Sequence, residues 1–420
     1  MRLGKRQLID KTVLLLLIVS TILRGSAISL CIPNMEKYIL ITIGIAFVAW
    51  IYSNGFAIKK SVLKKNATAF FLIICALPSL IGNWSTQGLT VWRSYFLAII
   101  LAFQVSVLVS KEELLISFCK VMKAIAIFSL ICYVLFIVVG LSYDWIPTIV
   151  KLTDSSIKYK SLLFYNIWLT ETTRNCGPFW EPSIFAAYLT FALQIRLFWL
   201  GNEKKRNIDC LIYILAMIST LSTGGYILLI ITALMYLWRD NRNSVLLKFF
   251  TLLGTVTVAI MGDSIMEWLL AINYNVFSKI AYFSTMGTTR TRIVSILTNL
   301  SIWRQHPFVG VGLAEIDKEY AIWKIIIGTE GLNAAQTSTT FLMLAAFGVF
   351  GIYYTVAWLK VVLDAKFLNG VQKTLFAITI FFIVNQTPHT NFILTYFLLF
   401  VFLKKNEKIE MIPQQLKLMR

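Results

Sequence analysis

Long apolar runs separated by short polar segments dominate the chain of 420 residues. A helix needs about 20 apolar residues to cross a bilayer, within a range of about 17–25. The runs at 208–238 and 374–403 are broken at Gly224-Gly225 and at Pro388, which predicts tight hairpins. The sequence therefore predicts one all-α polytopic membrane domain over residues 1–420, with about twelve transmembrane helices near residues 12–30, 38–57, 67–81, 88–109, 121–141, 179–200, 208–221, 226–238, 245–261, 337–359, 374–387 and 391–403.

Two long segments, 142–178 and 262–336, interrupt this series and are predicted to lie on the outer side of the membrane. In the second, the stretch Leu313 to Ile327 mixes apolar and acidic residues. The stretch Thr291 to Gln305 has an apolar helical face, formed by Ile293, Ile296, Leu297, Leu300 and Trp303. Both stretches suit helices that lie at the membrane interface or dip into it, and they suit equally well a lid that covers the bundle.

Basic residues concentrate in alternate loops, which predicts an orientation. Cytoplasmic loops carry the excess of Lys and Arg, so both termini are predicted to be cytoplasmic, in an inner membrane. Hydrophobic residues make up 58% of the chain and charged residues 14%, and this composition excludes an ordinary soluble domain. The net charge of +19 is attributed to the loop lysines, because no basic stripe with interleaved aromatic residues predicts a nucleic-acid partner. Arg196, near the inner end of its span, is interpreted as one of these topology charges.

Six arginines break the alternation, because they fall on or near the outer side. They are Arg24, Arg93, Arg174, Arg290, Arg292 and Arg304. A guanidinium group matches the geometry of phosphate and keeps its charge, so an outer arginine cluster predicts a lipid diphosphate as ligand. Internal ion pairs, snorkelling side chains and contacts with lipid headgroups are the alternatives.

Few other residues could carry proton-transfer chemistry on the outer side. Glu181 begins a span directly before Pro182, where it is either a general base or a helix-start residue. His306 and His389 are the two histidines, and each lies beside a proline in a turn. Either histidine could accept a proton from a sugar hydroxyl, and a capping role is the alternative.

No cofactor is predicted. The chain has no Walker A motif, and Gly310-Val311-Gly312 lacks the context of a dinucleotide site. Glu315 and Asp317 are interpreted as a solvated helix face, so the predicted metal content is none. Only Cys31 and Cys176 would lie outside, so at most one disulfide is expected.

Four segments resemble bacterial O-antigen polymerases of the Wzy type, in the O-antigen ligase/polymerase superfamily. RNCGPFWEPSIFAAYL, from Arg174 to Leu189, is similar to an Arg-x-x-Gly-x-Phe-x-Glu-Pro entry to a span. LSTGGYI, from Leu221 to Ile227, resembles the Ser-Thr-Gly turn that follows. The segment from Arg292 through HPFVGVG resembles the superfamily signature, and TTFLMLAAFGVFG, from Thr339 to Gly351, resembles the span after the large loop.

The resemblance implies a GT-C-like polytopic glycosyltransferase with a large helical periplasmic loop. It implies transfer of a growing glycan from undecaprenyl diphosphate to the non-reducing end of another lipid-linked repeat unit. The implied partners are this lipid-linked oligosaccharide, membrane lipids and a chain-length-regulating co-polymerase of the Wzz type. The diphosphate would contact Arg292 and Arg174, supported by Arg290, Arg93 and Arg24. Glu181 or His306 would be the base, and the sugar-stacking candidates are Trp180, Trp303 and Tyr320, for which an aromatic belt at the interface is the alternative.

Two other functions stay open. Ligases of the superfamily often have a His-Asn pair where this chain has Gln336-Thr337-Ser338, and this difference favours a polymerase over a ligase that acts on lipid A-core. A lipid-linked oligosaccharide flippase would also suit twelve spans. The two long outer segments and the missing half-to-half similarity favour the enzyme.

Overall fold

The computed structural model describes residues 2–31, 67–83, 89–108, 110–152, 155–200, 206–239, 288–327, 336–385 and 393–404, with isolated positions between 37 and 48. The predicted spans near 38–57 and 245–261 lie outside the described residues, as do 262–287 and 328–335 of the second long segment and the turn that contains His389. The described part is mostly helical, which agrees with the predicted all-α fold class. The number of membrane spans stays a prediction.

The apolar runs form a bundle of packed helices. In chain order the helices are α1 (Arg2–Arg24), α2 (Ala27–Cys31), α3 (Ala67–Gly82), α4 (Leu89–Leu108), α5 (Lys111–Tyr133), α6 (Pro182–Gln194), α7 (Arg206–Ser219), α8 (Thr223–Leu237), α9 (Thr288–Gln305), α10 (Ile316–Ile326), α11 (Thr339–Phe347), α12 (Ile352–Asp364), α13 (Gly370–Val384) and α14 (Ile393–Leu403). Single π-helical turns extend α5 (Val134–Val138) and α6 (Ile195–Trp199), and a 3-10 turn (Gly348–Gly351) joins α11 to α12.

Two stretches of the described chain, Lys111–Val138 and Thr339–Asp364, are by length and composition capable of crossing a membrane. Several shorter helices are equally apolar. Their outward faces carry large apolar side chains, and on α3 these are Phe70, Phe71, Ile74, Leu77 and Ile81. Polar side chains lie between the helices instead, as with Ser129 and Thr190, both fully buried.

A small antiparallel sheet lies in the first long segment, between α5 and α6. It consists of β1 (Thr148–Val150), β2 (Lys158–Ser161) and β3 (Asn166–Trp168), with β2 in the centre. Ile149 is paired with Tyr159, and Tyr159 stacks against Trp168 at 6.3 Å between ring centroids. No strand was predicted here, because strands of three or four residues are too short to produce a clear alternation of apolar and polar positions.

Helix termini that are distant in sequence meet at one end of the bundle. The Ala27 N–H donates to the Pro178 carbonyl at 3.0 Å, and the Asn175 N–H donates to Ser219 at 3.1 Å. The Ser338 hydroxyl donates to the Asn385 carboxamide oxygen at 2.8 Å. At the opposite end, the Asn369 side chain donates to the Trp238 carbonyl, so α8 and α13 run antiparallel. We call the first end the loop end; it comprises residues 24–31, 133–181, 219–223, 306–312, 336–340 and 385.

Candidate functional site

Arg174 is held on a short segment between β3 and α6, at the loop end. Its Nη1 forms an ion pair with Glu171 Oε2 at 2.6 Å, and its Nε donates to the Thr220 carbonyl at 3.2 Å. The side chain keeps 16% of its surface exposed. Because a guanidinium has more N–H groups than these two bonds use, Arg174 can still donate to an anion that approaches from outside.

The residues after Arg174 fix its backbone. Asn175 is fully buried, and its side chain donates to Ser219 Oγ at 2.9 Å and to Ser129 Oγ at 3.3 Å. Its oxygen accepts the Gly177 N–H at 2.9 Å. Gly177 has φ of +53°, and a Cβ there would lie 2.9 Å from the Phe185 ring, so glycine is required. These bonds attach the segment to the turn that precedes α8, which contains the Ser-Thr-Gly motif.

The C-terminal end of α1 lies beside the same segment. Arg24 is the last residue of α1, and the Ala27–Pro178 hydrogen bond three residues later attaches this end to the entry of α6. Trp180 is half-buried and packs against Ala27 and Tyr159, and the Tyr159 hydroxyl donates to the Trp180 carbonyl at 3.0 Å. The fold thus brings Arg24, Arg174 and Trp180 to one end of the bundle.

Glu181 is the residue that precedes α6, and Pro182 occupies the first helical position. Its backbone is extended, and its carbonyl accepts the Ile184 N–H at 3.2 Å, whereas its side chain does not cap the helix. Burial raises the pKa of Tyr159 well above its usual range, and the charges of Cys176, Cys31 and Glu181 raise it further. Glu181 itself is half-buried at the loop end.

Cys176 lies inside the same segment as a buried free thiol. Burial raises its pKa to about 12, and the Arg174 charge opposes this rise. Burial also raises the pKa of Cys31 to about 11. Both cysteines are free, so the one disulfide that the sequence allowed is not formed. Cys176 is consequently a packing residue of the segment and a poor nucleophile.

The helix that carries Arg290 and Arg292 buries its polar face. Among the described side chains of α9, Ser295, Thr298 and Asn299 are fully buried, whereas Ile293 and Leu297 are 52% and 53% exposed. A lid with its apolar face on the bundle is therefore wrong for this helix. Arg290 and Arg292 lie in the first two turns of α9, and their side chains are outside the described part.

The polar face of α9 contacts the chain entering α11. The Gln336 side chain donates to Asn299 Oδ1 at 3.1 Å, and the Thr337 N–H donates to Ser295 Oγ at 3.0 Å. Asn385, at the end of α13, accepts the Thr340 N–H at 3.1 Å. Helical spacing puts position 292 on the side of α9 that bears Ser295 and Asn299.

The turn after α9 fits into a break between α11 and α12. The Val311 and Gly312 N–H groups donate to the carbonyls of Ala345 and Ala346, each at 3.0 Å. Gly310 has φ of +67°, and a Cβ there would lie 2.4 Å from the Ala346 backbone. The motif His-Pro-Phe-Val-Gly-Val-Gly thus supplies partners for carbonyls that the helix break leaves free.

The other predicted site residues occupy different positions at this end. Arg93 is exposed in the first part of α4, next to Trp92, which is 5.7 Å from the Phe347 ring. His306 and Arg304 are exposed at the end of α9, and Trp303 is half-buried. Tyr320 is buried, and burial raises its pKa while Ser295 and Thr298 oppose the rise. Since the Tyr320 ring is covered, stacking on a sugar there would require α10 to move.

An ion-pair cluster away from the loop end was missed. Arg196, in the π-helical turn after α6, pairs with Asp209 of α7, and Lys123 of α5 pairs with the same carboxylate at 2.6 Å. Arg196 is only 5% exposed. Arg196 therefore has a structural role that its interpretation as a topology charge alone did not include, because its charge is paired inside the protein. The acidic residue in an otherwise apolar α7 was the available signal.

No protein-family model and no curated protein matches the chain. Among the described residues, no group of three or more His, Cys, Asp or Glu side chains could hold a metal ion. The loop end brings together arginines, the carboxylates of Glu171 and Glu181 and the imidazole of His306. Such a set can bind an anion and accept a proton.

Proposed function

We propose that the chain is a membrane-embedded O-antigen polymerase that acts on the periplasmic face of a bacterial inner membrane. It transfers a growing glycan from undecaprenyl diphosphate to the non-reducing end of another lipid-linked repeat unit. The observation that carries the proposal is the meeting of Arg24, Arg174 and Glu181 at one end of the bundle. The Ala27–Pro178 and Arg174–Thr220 hydrogen bonds bring them there.

The distribution of polar and apolar side chains supports the membrane placement. Helix α9 exposes Ile293 and Leu297 and buries Ser295 and Asn299, and α3 exposes a row of large apolar residues. In water this arrangement would be unfavourable, whereas in lipid it places apolar surface against hydrocarbon and satisfies polar groups internally. The helical window within Lys111–Val138 is only 39% buried, unlike the core helix of a soluble protein.

The chemistry follows from the leaving group. An acceptor sugar hydroxyl attacks the anomeric carbon of the donor, the bond from that carbon to the diphosphate oxygen breaks, and the acceptor proton passes to a base. Arginines stabilise the charge that develops on the diphosphate. Arg292 and Arg174 are assigned this role, with Arg290, Arg93 and Arg24 in support. Glu181 or His306 is assigned the role of the base, because these groups can accept the hydroxyl proton.

A substitution of Arg292 tests the assignment. Lysine keeps the charge but cannot bind phosphate through two parallel N–H groups. We expect Arg292→Lys to lower the rate of polymerisation about 10²–10³-fold, as for removal of one transition-state donor. Arg239→Lys, on an exposed arginine after α8 and away from the loop end, is the control and should leave the rate unchanged. Wild-type chain-length ladders from Arg292→Lys would overturn the assignment.

A reconstituted reaction tests the activity itself. The purified chain would receive two lipid-linked repeat units and lipid A-core without any ion gradient, and products would be separated by length. A ladder supports the polymerase, and transfer only to lipid A-core supports the ligase. Movement of the lipid across the bilayer without new glycosidic bonds supports a flippase and overturns the proposal. A co-polymerase of the Wzz type should change the length distribution.

A further inference from the structure

An apolar groove runs between α1 and α5, away from the residues discussed so far. Its volume is about 490 Å³. Its walls are Leu15, Val19, Lys120, Val121, Ala124, Ile125, Phe128 and Phe164. Phe164 comes from the segment between β2 and β3, and its ring meets Phe128 at 6.4 Å, closing the groove toward the loop end. Lys120 is the sole charged residue of this lining.

Two lysines lie at the opposite end of this groove. On α1, Lys11, Leu15 and Val19 follow one another at four-residue spacing. On α5, Lys120, Ala124 and Phe128 have the same spacing. Both helices lead into the same segment at their C-terminal ends, through Ala27–Pro178 and Tyr133–Thr173 hydrogen bonds, so they run parallel. Lys11 and Lys120 therefore lie at the same end.

The other two lysines of α5, unlike Lys120 and unlike Lys11 of α1, bond to other residues that the structure describes. Lys111 donates to the Phe402 carbonyl at 2.7 Å, and Lys123 pairs with Asp209. Lys11 and Lys120 are exposed, and neither has a hydrogen bond or an ion pair within the part of the chain that the structure describes. Two exposed cations that have no partner among the described residues, next to an apolar groove, complement a molecule with an anionic head and an apolar tail.

We propose that this groove binds an anionic phospholipid of the cytoplasmic leaflet, with its phosphate between Lys11 and Lys120 and an acyl chain along Ala124 and Phe128. Basic pockets between transmembrane helices on the cytoplasmic side bind anionic headgroups in this way. The inference rests on the membrane placement in the proposed function and does not depend on the transfer reaction.

Lipid selectivity tests the charge requirement. The full chain would be placed in nanodiscs of equimolar phosphatidylglycerol and phosphatidylcholine, and retained lipids would be counted by native mass spectrometry. We expect phosphatidylglycerol to be retained preferentially, and Lys11→Gln/Lys120→Gln to reduce the preference, by about fivefold per lysine. The control Lys366→Gln/Lys373→Gln removes the same charge in and next to the turn between α12 and α13 and should keep the preference. Equal retention by the wild-type chain, or an equal loss in the control, overturns the inference.

Filling the groove tests the tail contact. Ala124→Trp should reduce the number of retained lipids, whereas Ile127→Trp introduces the same side chain on α5 outside the lining residues and should not. Circular dichroism would establish that both variants keep the helical content. Retention unaffected by Ala124→Trp overturns the groove assignment. A chain that carbonate releases from membranes would instead overturn the membrane placement, which separates the two failures.

Discussion

Two arginines of this chain form ion pairs in contrasting surroundings. Arg174 pairs with Glu171 three residues earlier, on a segment at the loop end, and the two side chains are 16% and 26% exposed. Arg196 pairs with Asp209 on a neighbouring helix, and their side chains are 6% and 10% exposed. Asp209 also accepts Lys123, so three helices meet at one carboxylate.

This difference in exposure separates an arginine whose charge is used in helix packing from one that can still bind a ligand. A buried carboxylate between two cations compensates charges that would otherwise be desolvated without a partner. The pair at the loop end is partly solvated and sits where a ligand can reach it. We therefore assign the Arg196 cluster to the packing of α5, α6 and α7, and Arg174 to anion binding.

Removal of the two carboxylates should have very different effects on stability. Asp209→Ala leaves Arg196 buried without its partner, so we expect a loss of about 3–5 kcal/mol in the free energy of unfolding. Glu171→Ala breaks a partly exposed pair, and the loss should be about 1 kcal/mol or less. Denaturant unfolding of the purified variants in detergent measures both. Similar losses of unfolding free energy in Asp209→Ala and Glu171→Ala would contradict the distinction between a structural ion pair and an available one.

For the rate of polymerisation we expect the opposite order, with the larger loss at the loop end. Arg174→Lys loses the Nε bond to Thr220 and the paired geometry toward phosphate, so we expect the rate of polymerisation to fall by about 10²-fold. Arg196→Lys keeps a charge next to Asp209 and should preserve turnover per folded molecule. Labelling of Cys176 with a maleimide reports whether the segment stays closed. If Arg174→Lys exposes Cys176, its defect is structural and the anion-binding assignment fails.

The apolar runs that the structure describes are helical, and the sequence predicts this because each run is long enough to be recognised locally. The number of membrane spans stays a prediction. The sequence also indicated the 174–181 segment, whose charged and turn-forming residues are close together in the chain. The Arg196–Asp209–Lys123 cluster could not be predicted, since its three residues lie on separate helices. For α9 the sequence showed which residues form the apolar face, but it did not show whether that face packs on the bundle or points away from it. That face turns away from the bundle, as the proposed membrane placement requires, whereas a rule for soluble helices predicts the opposite direction.

Alanine substitutions of two loop-end glycines, Gly177 and Gly140, test how tightly the segment that carries Arg174 is held. Their expected effects on stability are smaller than that of Asp209→Ala. Gly177 and Gly140 both have positive φ, of +53° and +79°, so alanine strains either backbone by about 1 kcal/mol or more. Only at Gly177 does a new Cβ also meet a neighbour, the Phe185 ring at 2.9 Å, while nothing lies within 4 Å at Gly140.

We expect Gly177→Ala to lower the free energy of unfolding by about 2 kcal/mol and Gly140→Ala by about 1 kcal/mol. Because Gly177 also fixes Asn175, the first variant should shift Arg174 and reduce polymerisation, whereas the second should not. Unfolding in detergent and product ladders measure the two effects. Equal stability and equal activity in both variants would mean that the Phe185 ring gives way, and that the segment does not position Arg174 as tightly as its hydrogen bonds imply.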